Sequence, residues 1–219
     1  MTKQRTCKER PIIFSAPMVR AILEGRKTVT RRIVKWPAWA NAEDAEQQAA
    51  LVRDRALAFY RDGRAIKTLR CPFGAPGSQL WVREQFSYSY GTGVEDRSPC
   101  WYWADGQPDY GDWSRPAPSI YMPRWASRIT LEVTGVRVER LNSISREDVL
   151  AEGCQVPRCQ KCGYTRGDCL IHMDHHLCGE PTPCHEVSAY HKLWESINGP
   201  DSWAANPFVW VIEFKRTET

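Results

Sequence analysis

Long apolar runs are missing from this chain of 219 residues. No stretch of eighteen apolar residues occurs, and the N-terminal "MTKQRTCKERPIIF" has no apolar region of the signal-peptide kind. The expectation is a cytoplasmic protein with no membrane partner. Strong net charge is missing too: the formal balance is +4, which argues against a general polyelectrolyte role. Lysine is scarce. Of the 30 basic side chains only eight are Lys and 22 are Arg. The planar arginine fork fits phosphates and base edges, although GC-rich codon usage gives the same excess. There is no internal repeat and no low-complexity tract. An even cysteine count is also absent: nine Cys without a signal peptide read as reduced thiols or metal ligands, not as a disulfide framework.

What is present is an ordinary globular composition, 42% hydrophobic and 26% charged, with ten Trp. The length suits one domain with inserts. Ser15 is placed to cap a short helix with Pro17 in its first turn and Met18, Val19, Ile22 and Leu23 on one face. Gly25 is placed as its left-handed stop. "KTVTRRIV" then reads as a strand. Residues 36–79 read as an inserted element, with Asp62–Gly63 as a hairpin turn. "SQLWVREQF" reads as a strand and residues 87–118 as a long loop without periodicity. In "RITLEVTGV" the alternation of Ile129, Leu131 and Val133 predicts a half-buried strand. "SREDVLAEG" opens on a capping pair, Ser145 and Asp148, and stops at Gly153. "EVSAYHKLWESING" places Val187, Tyr190, Trp194 and Ile197 on one helical face, and "PFVWVIEF" closes as a strand. Short helices among separate strands predict an α+β fold with a curled sheet.

Four blocks in order, "SAPMVRAILEGRKTVTRR", "LWVRE", "MPRWASRITLEVTGVRVERL" and "NPFVWVIEF", make the chain resemble the ASCH domain, in its long phage and prophage form. The resemblance spans about residues 11–219 as one domain, with inserts at about 37–75, 87–118 and 154–186. It implies a PUA-like β-barrel with flanking short helices. It also implies association with a nucleoside or with nucleic acid, RNA or modified DNA, in a bacterial or phage-infected cell. Some small ASCH proteins hydrolyse the acyl amide on the exocyclic amine of cytidine, and another resembles a ribonuclease. By motif, the catalytic Lys, Thr and Glu fall on Lys27, Thr30 and Glu152. The known amidohydrolases are about half this length and lack the inserts.

The residues themselves admit plainer readings. Lys27 and Thr30 also suit a solvated strand edge guarded by cations. As chemistry, the amine acts as a base toward the hydroxyl only if its pKa is lowered, which neighbouring Arg26, Arg31 and Arg32 are expected to do. Lys27 is then expected at the barrel mouth. Arg32 shares a strand face with Thr30 and is a candidate substrate contact. Glu152 ends a helix, where the dipole favours its protonated form. Glu84 in "WVRE" is a competing carboxylate at the same pocket. Arg124 and Trp125 in "MPRWASR" suit stacking on a base while gripping phosphate, or else core packing with solvated arginines. A non-catalytic reader of RNA or modified DNA is therefore the second function class.

The segment "CQVPRCQKCGYTRGDCLIHMDHHLCGEPTPCH" holds six of the nine Cys and four of the five His. Cys159 and Cys162, two residues apart and followed by Gly, form half of a zinc knuckle. The second pair comes from Cys169, His172, Cys178 or Cys184, with His172 and Cys178 the chosen candidates. Such a short polar insert has little core of its own, so a structural zinc would explain its folding.

Overall fold

A computed structural model describes residues 9–37, 49–52, 56–61, 64–90, 100–154 and 185–217. Its centre is strand β10, Phe208–Thr217, whose "VWVI" is buried on both faces. A strand covered on both sides reads as a continuous apolar run, as this one does. β10 pairs antiparallel with β2, Val29–Ile33, on one side and β9, Thr130–Arg140, on the other. Beyond β9 lie β6, Gln79–Arg83, and β1, Arg10–Ile13, the last pair parallel. The sheet order is thus β1-β6-β9-β10-β2. β1 and β2 are its edges, and the sheet curls until they approach: Arg32 of β2 donates from Nη2 to the carbonyl of Ile13 in β1 at 2.6 Å.

Alternation sorts the side chains of β10. Trp210, Ile212 and Phe214 join Ile12, Leu131 and Val133 in the core inside the curl. Val209 and Val211 turn outward to a second core under two helices, α2, Arg146–Ala151, and α3, His185–Asn198. A register shift between Glu213 and Phe214 opposes Phe214 to Val133 and Glu213 to Gly135. That extra residue in β9 reverses its parity. Val136 and Val138 stay with the inner core, and Arg137 and Glu139 fall on the helix side, where Arg137 pairs with Glu139 and with Asp148 of α2.

The helices obey their sequence signals with one exception. Helix α1, Ala16–Leu23, ends at Gly25 with φ +74°, and α2 is capped by Ser145, whose Oγ accepts from the Asp148 N–H at 3.1 Å. Ser15 does occupy the N-cap of α1, but its side chain makes no capping bond. The strand expected over "SQLWVREQF" divides into β6 and β7, Phe86–Tyr88. Strands β3, Ala49–Val52, β4, Ala56–Arg61, and β5, Arg64–Arg70, form a separate antiparallel sheet. Its β4–β5 hairpin brackets the expected Asp62–Gly63 turn, itself outside the described residues.

The reading of 87–118 as one loop is corrected. β7 pairs antiparallel with β8, Cys100–Tyr102, and Ala117 bridges to Phe86. Phe86, Met122 and Ala126, packed with Tyr88 and Tyr102, give this excursion its own small core. The architecture is mixed α+β. No helix among the described residues is long and apolar enough to cross a membrane.

Candidate functional site

Two left-handed glycines bring Lys27 and Glu152 together. After α1 the chain turns at Gly25, and the N–H groups of Arg26 and Lys27 both return to the Ala21 carbonyl at 2.9 Å. After α2 it turns at Gly153, φ +77°. The two turns dock: the Thr28 N–H donates to the Ala151 carbonyl at 2.8 Å, and Lys27 and Glu152 form an isolated antiparallel bridge. The fit leaves no room for a side chain at Gly153, where a Cβ would lie 2.9 Å from that of Lys27 and 2.8 Å from that of Ala21. The glycine of "AEG" thus serves close approach as well as helix termination.

Lys27 is 2% exposed, so it is neither a solvated edge residue nor a side chain at an open mouth. Its Nζ donates to Glu152 Oε2 at 2.5 Å, to the Val29 carbonyl at 2.8 Å and to the Glu152 carbonyl at 2.9 Å. Three acceptors match the three hydrogens of an ammonium. Burial pulls the Lys27 amine below its ordinary value, opposed by the Glu152 carboxylate; Arg32 and Arg31 add smaller downward pushes. Desolvation, more than crowding by arginines, is therefore the cause of the lowered value. Arg26 is turned away, donating to Glu24 and to the Gly153 carbonyl.

Glu152 is held from every side. Its Oε1 accepts from the Tyr190 hydroxyl at 3.2 Å and from Arg31 Nη1 at 3.4 Å. Arg31 also reaches Glu139 and Asp148, each at 2.5 Å, and Arg137 closes the network onto Glu139, Asp148 and Glu213. Burial disfavours the Arg31 charge, but the carboxylates of Glu152 and Glu139 outweigh it and hold the guanidinium above its ordinary value. Burial first, then Glu152, raises the Tyr190 phenol well above its own. Tyr190 is not expected here from the sequence, and Arg31 is expected only as a cation lowering the Lys27 pKa, not as a partner of Glu152. Arg31 reads as one of three similar cations, and Tyr190 as one member of an apolar helical face.

Thr30, Arg31, Arg32, Glu152 and Tyr190 all line one cavity of about 590 Å³, bounded also by the chain after β5 and by α3. The Thr30 hydroxyl makes no hydrogen bond with the described residues. Arg32 lies over the Phe14 ring, 5.3 Å from its centroid, and burial lowers its pKa. Glu152 also borders a second cavity of about 430 Å³ together with Arg20, Arg26 and Cys154. Glu152 thus borders two hollows.

Glu84, Arg124 and Trp125 line neither cavity. Glu84 is buried in a fork from Arg128, both bonds 3.0 Å, and Arg128 continues to Asp105. Burial raises the Glu84 carboxyl against the pull of Arg128. The structure thus makes Glu84 one half of an internal ion pair and not a second carboxylate of the Lys27 pocket. Arg124 is engaged by Glu9 through Nε at 2.6 Å and Nη2 at 3.1 Å. Trp125 is 48% exposed, with its ring centroid 6.2 Å from that of Tyr88. In the block "MPRWASR" the arginines are paired and the tryptophan is half in solvent, which departs from core packing with solvated arginines.

The candidate zinc ligands Cys159, Cys162, Cys169, His172, Cys178 and Cys184 lie outside the described residues. Among the described residues no group of three or more His, Cys, Asp or Glu is arranged to hold a metal ion. No family model, curated protein or solved structure matches the chain.

Proposed function

We propose that this chain is an amidohydrolase that removes an acyl group from the exocyclic amine of a modified cytosine base or nucleoside. The observation that carries the reading is the buried Lys27–Glu152 pair, with Glu152 and Thr30 both on the wall of a ligand-sized cavity. The four ASCH-like blocks support it. The same reading takes the curled sheet as a PUA-like barrel and residues 154–186 as a zinc-bearing loop.

The chemistry follows from the hydrogen-bond count. All three Lys27 donors are engaged, so the amine has no lone pair free for Thr30 as the chain stands. Moving one proton from Nζ to Glu152 Oε2 leaves two N–H groups for the Val29 and Glu152 carbonyls, and an O–H directed at the amine. No polar group is orphaned in either state. The pair therefore stores one mobile proton, and Glu152 is the member that reaches the cavity. In the proposed reaction Thr30 holds a water. Glu152 takes its proton as the oxygen attacks the amide carbonyl, then returns that proton to the departing exocyclic nitrogen. The C–N bond breaks, and the products are a carboxylic acid and the free amine. Arg31 and Arg32, on the same wall, oppose the charge that develops on the carbonyl oxygen.

The test is release of carboxylate from N-acylated cytidine and from acylated oligonucleotides. Thr30→Ser keeps a hydroxyl and should retain much of the activity; Thr30→Val should lose most of it. Inactivity of the parent on both substrates would return first place to a non-catalytic reader of RNA or modified DNA. For that function half-exposed Trp125 is the side chain available for stacking. Cleavage of the oligonucleotide backbone instead would indicate a ribonuclease.

A further inference from the structure

The cavity beside Glu152 is larger and more apolar than the reacting groups require. Tyr190 and Ile197 both line it and stand seven residues apart on α3. Two helical turns separate them, about 10 Å along the axis. The hollow therefore runs from the Glu152 carboxylate along α3 to a distant lip. Thr30, Arg31, Arg32 and Glu152 give it a polar wall. Leu69 in β5, Phe73 just after it, and Leu193 and Ile197 on α3 supply apolar lining, with polar Lys35, Arg70 and Asn198 among them. Two of the lining residues are large apolar side chains left in solvent, Ile33 at 40% and Ile197 at 53% exposure. An exposed apolar pair on the rim of a cavity marks a surface that a ligand covers. Two residues of the lining, Arg32 and Trp194, also carry buried donors, Nε and Nε1, without a partner among the described residues. Buried donors ordinarily have one.

We infer that this cavity binds an acyl group with an extended apolar body, a medium-length alkyl chain or an aryl ring, laid along α3 toward Ile197 while its amide carbonyl sits at Thr30 and Glu152. This inference rests on the amidohydrolase reading and narrows its substrate. An acetyl group would leave most of the hollow, including both exposed isoleucines, uncovered. The polar wall receives the amide, and the apolar lining selects the acyl chain by the area it removes from water. Each added methylene, where it fits, is worth about fourfold in affinity or kcat/KM.

The test uses the full chain and four probes: cytidine, N-acetylcytidine, N-hexanoylcytidine and hexanamide. Binding is followed by the tryptophan fluorescence of the protein, and turnover by carboxylate release. N-hexanoylcytidine should exceed N-acetylcytidine in kcat/KM by well over tenfold, and hexanamide alone should bind. Ile197→Asp, a change at an exposed position, should remove most of the chain-length advantage, lowering kcat/KM for N-hexanoylcytidine far more than for N-acetylcytidine. Equal kcat/KM for the two acylcytidines would overturn the inference and leave the amidohydrolase reading standing. If neither is hydrolysed but hexanamide binds and Ile197→Asp weakens it, the acyl channel stands and the cytidine reading fails. Absence of hexanamide binding together with absence of hydrolysis overturns both.

Discussion

Replacing Lys27 by methionine keeps an unbranched side chain one atom shorter and removes its charge. The Lys27 side chain is wholly buried and 2.5 Å from Glu152, so the substitution strands a buried carboxylate and takes the donor from two carbonyls. Breaking a buried pair by removing one partner costs roughly 3–5 kcal/mol. Arg31 and Tyr190 still reach Glu152 Oε1, so the lower figure applies, about 3 kcal/mol. At about 2–4 °C per kcal/mol for a chain of this size, Tm should fall by roughly 6–12 °C in a calorimetric or circular-dichroism melt. The double variant Lys27→Met with Glu152→Leu removes both charges and leaves Arg31 with Glu139 and Asp148. It should melt above the single variant, since an ion pair replaced by apolar side chains of similar size costs little. A shift below about 2 °C for Lys27→Met is what a solvated surface residue would show, and it would refute the buried-pair account. Activity losses at Lys27 must accordingly be measured at a temperature where the variant is folded.

Two further outcomes are expected. Burial pushes the Cys71 thiol up from 9.0 to about 11. The unfolded thiol therefore ionises first; the stabilisation is intact below pH 9 and lost as pH rises to 11. Over that range the parent should lose about 2–3 kcal/mol more than Cys71→Ala in denaturant titrations, and parallel losses would contradict the assignment. The purified chain should carry about one zinc, released by Cys159→Ser with Cys162→Ser while the melt of the five-stranded sheet persists; metal analysis that finds none rules out the zinc knuckle.

Several elements were legible because their signals are local. The glycine stops at 25, 153 and 199, the Ser145–Asp148 cap, the hairpin around 62–63 and the buried run of β10 all follow from short-range chemistry. β1 was missed because "RPII" is four residues long and gains its identity only by pairing with β6. The β7–β8 pair is not legible because each strand is only three residues long, too short for a periodic signal. Lys27 and Glu152 came from block resemblance, since 125 residues separate them and spacing says nothing about their meeting. Their surroundings were less legible. Three arginines of one short block read alike in sequence, yet Arg26 pairs with Glu24 at the surface, Arg31 is locked among carboxylates and Arg32 lines a cavity. That sorting depends on the pairing of β2 with β10 and on the parity change in β9. Likewise Glu84 and Arg124 look available until Arg128 and Glu9, their partners, are placed beside them.

The central claim is that Glu152, charged and held by Lys27, Arg31 and Tyr190, moves the proton in amide hydrolysis. The most direct measurement is the turnover of N-acylcytidine by Glu152→Gln against the parent, with circular dichroism showing both folded at the assay temperature. Glutamine preserves the shape and cannot carry the proton. Turnover should fall by roughly two to four orders of magnitude, the worth of a positioned acid or base. A folded Glu152→Gln protein that releases carboxylate as fast as the parent would contradict the account.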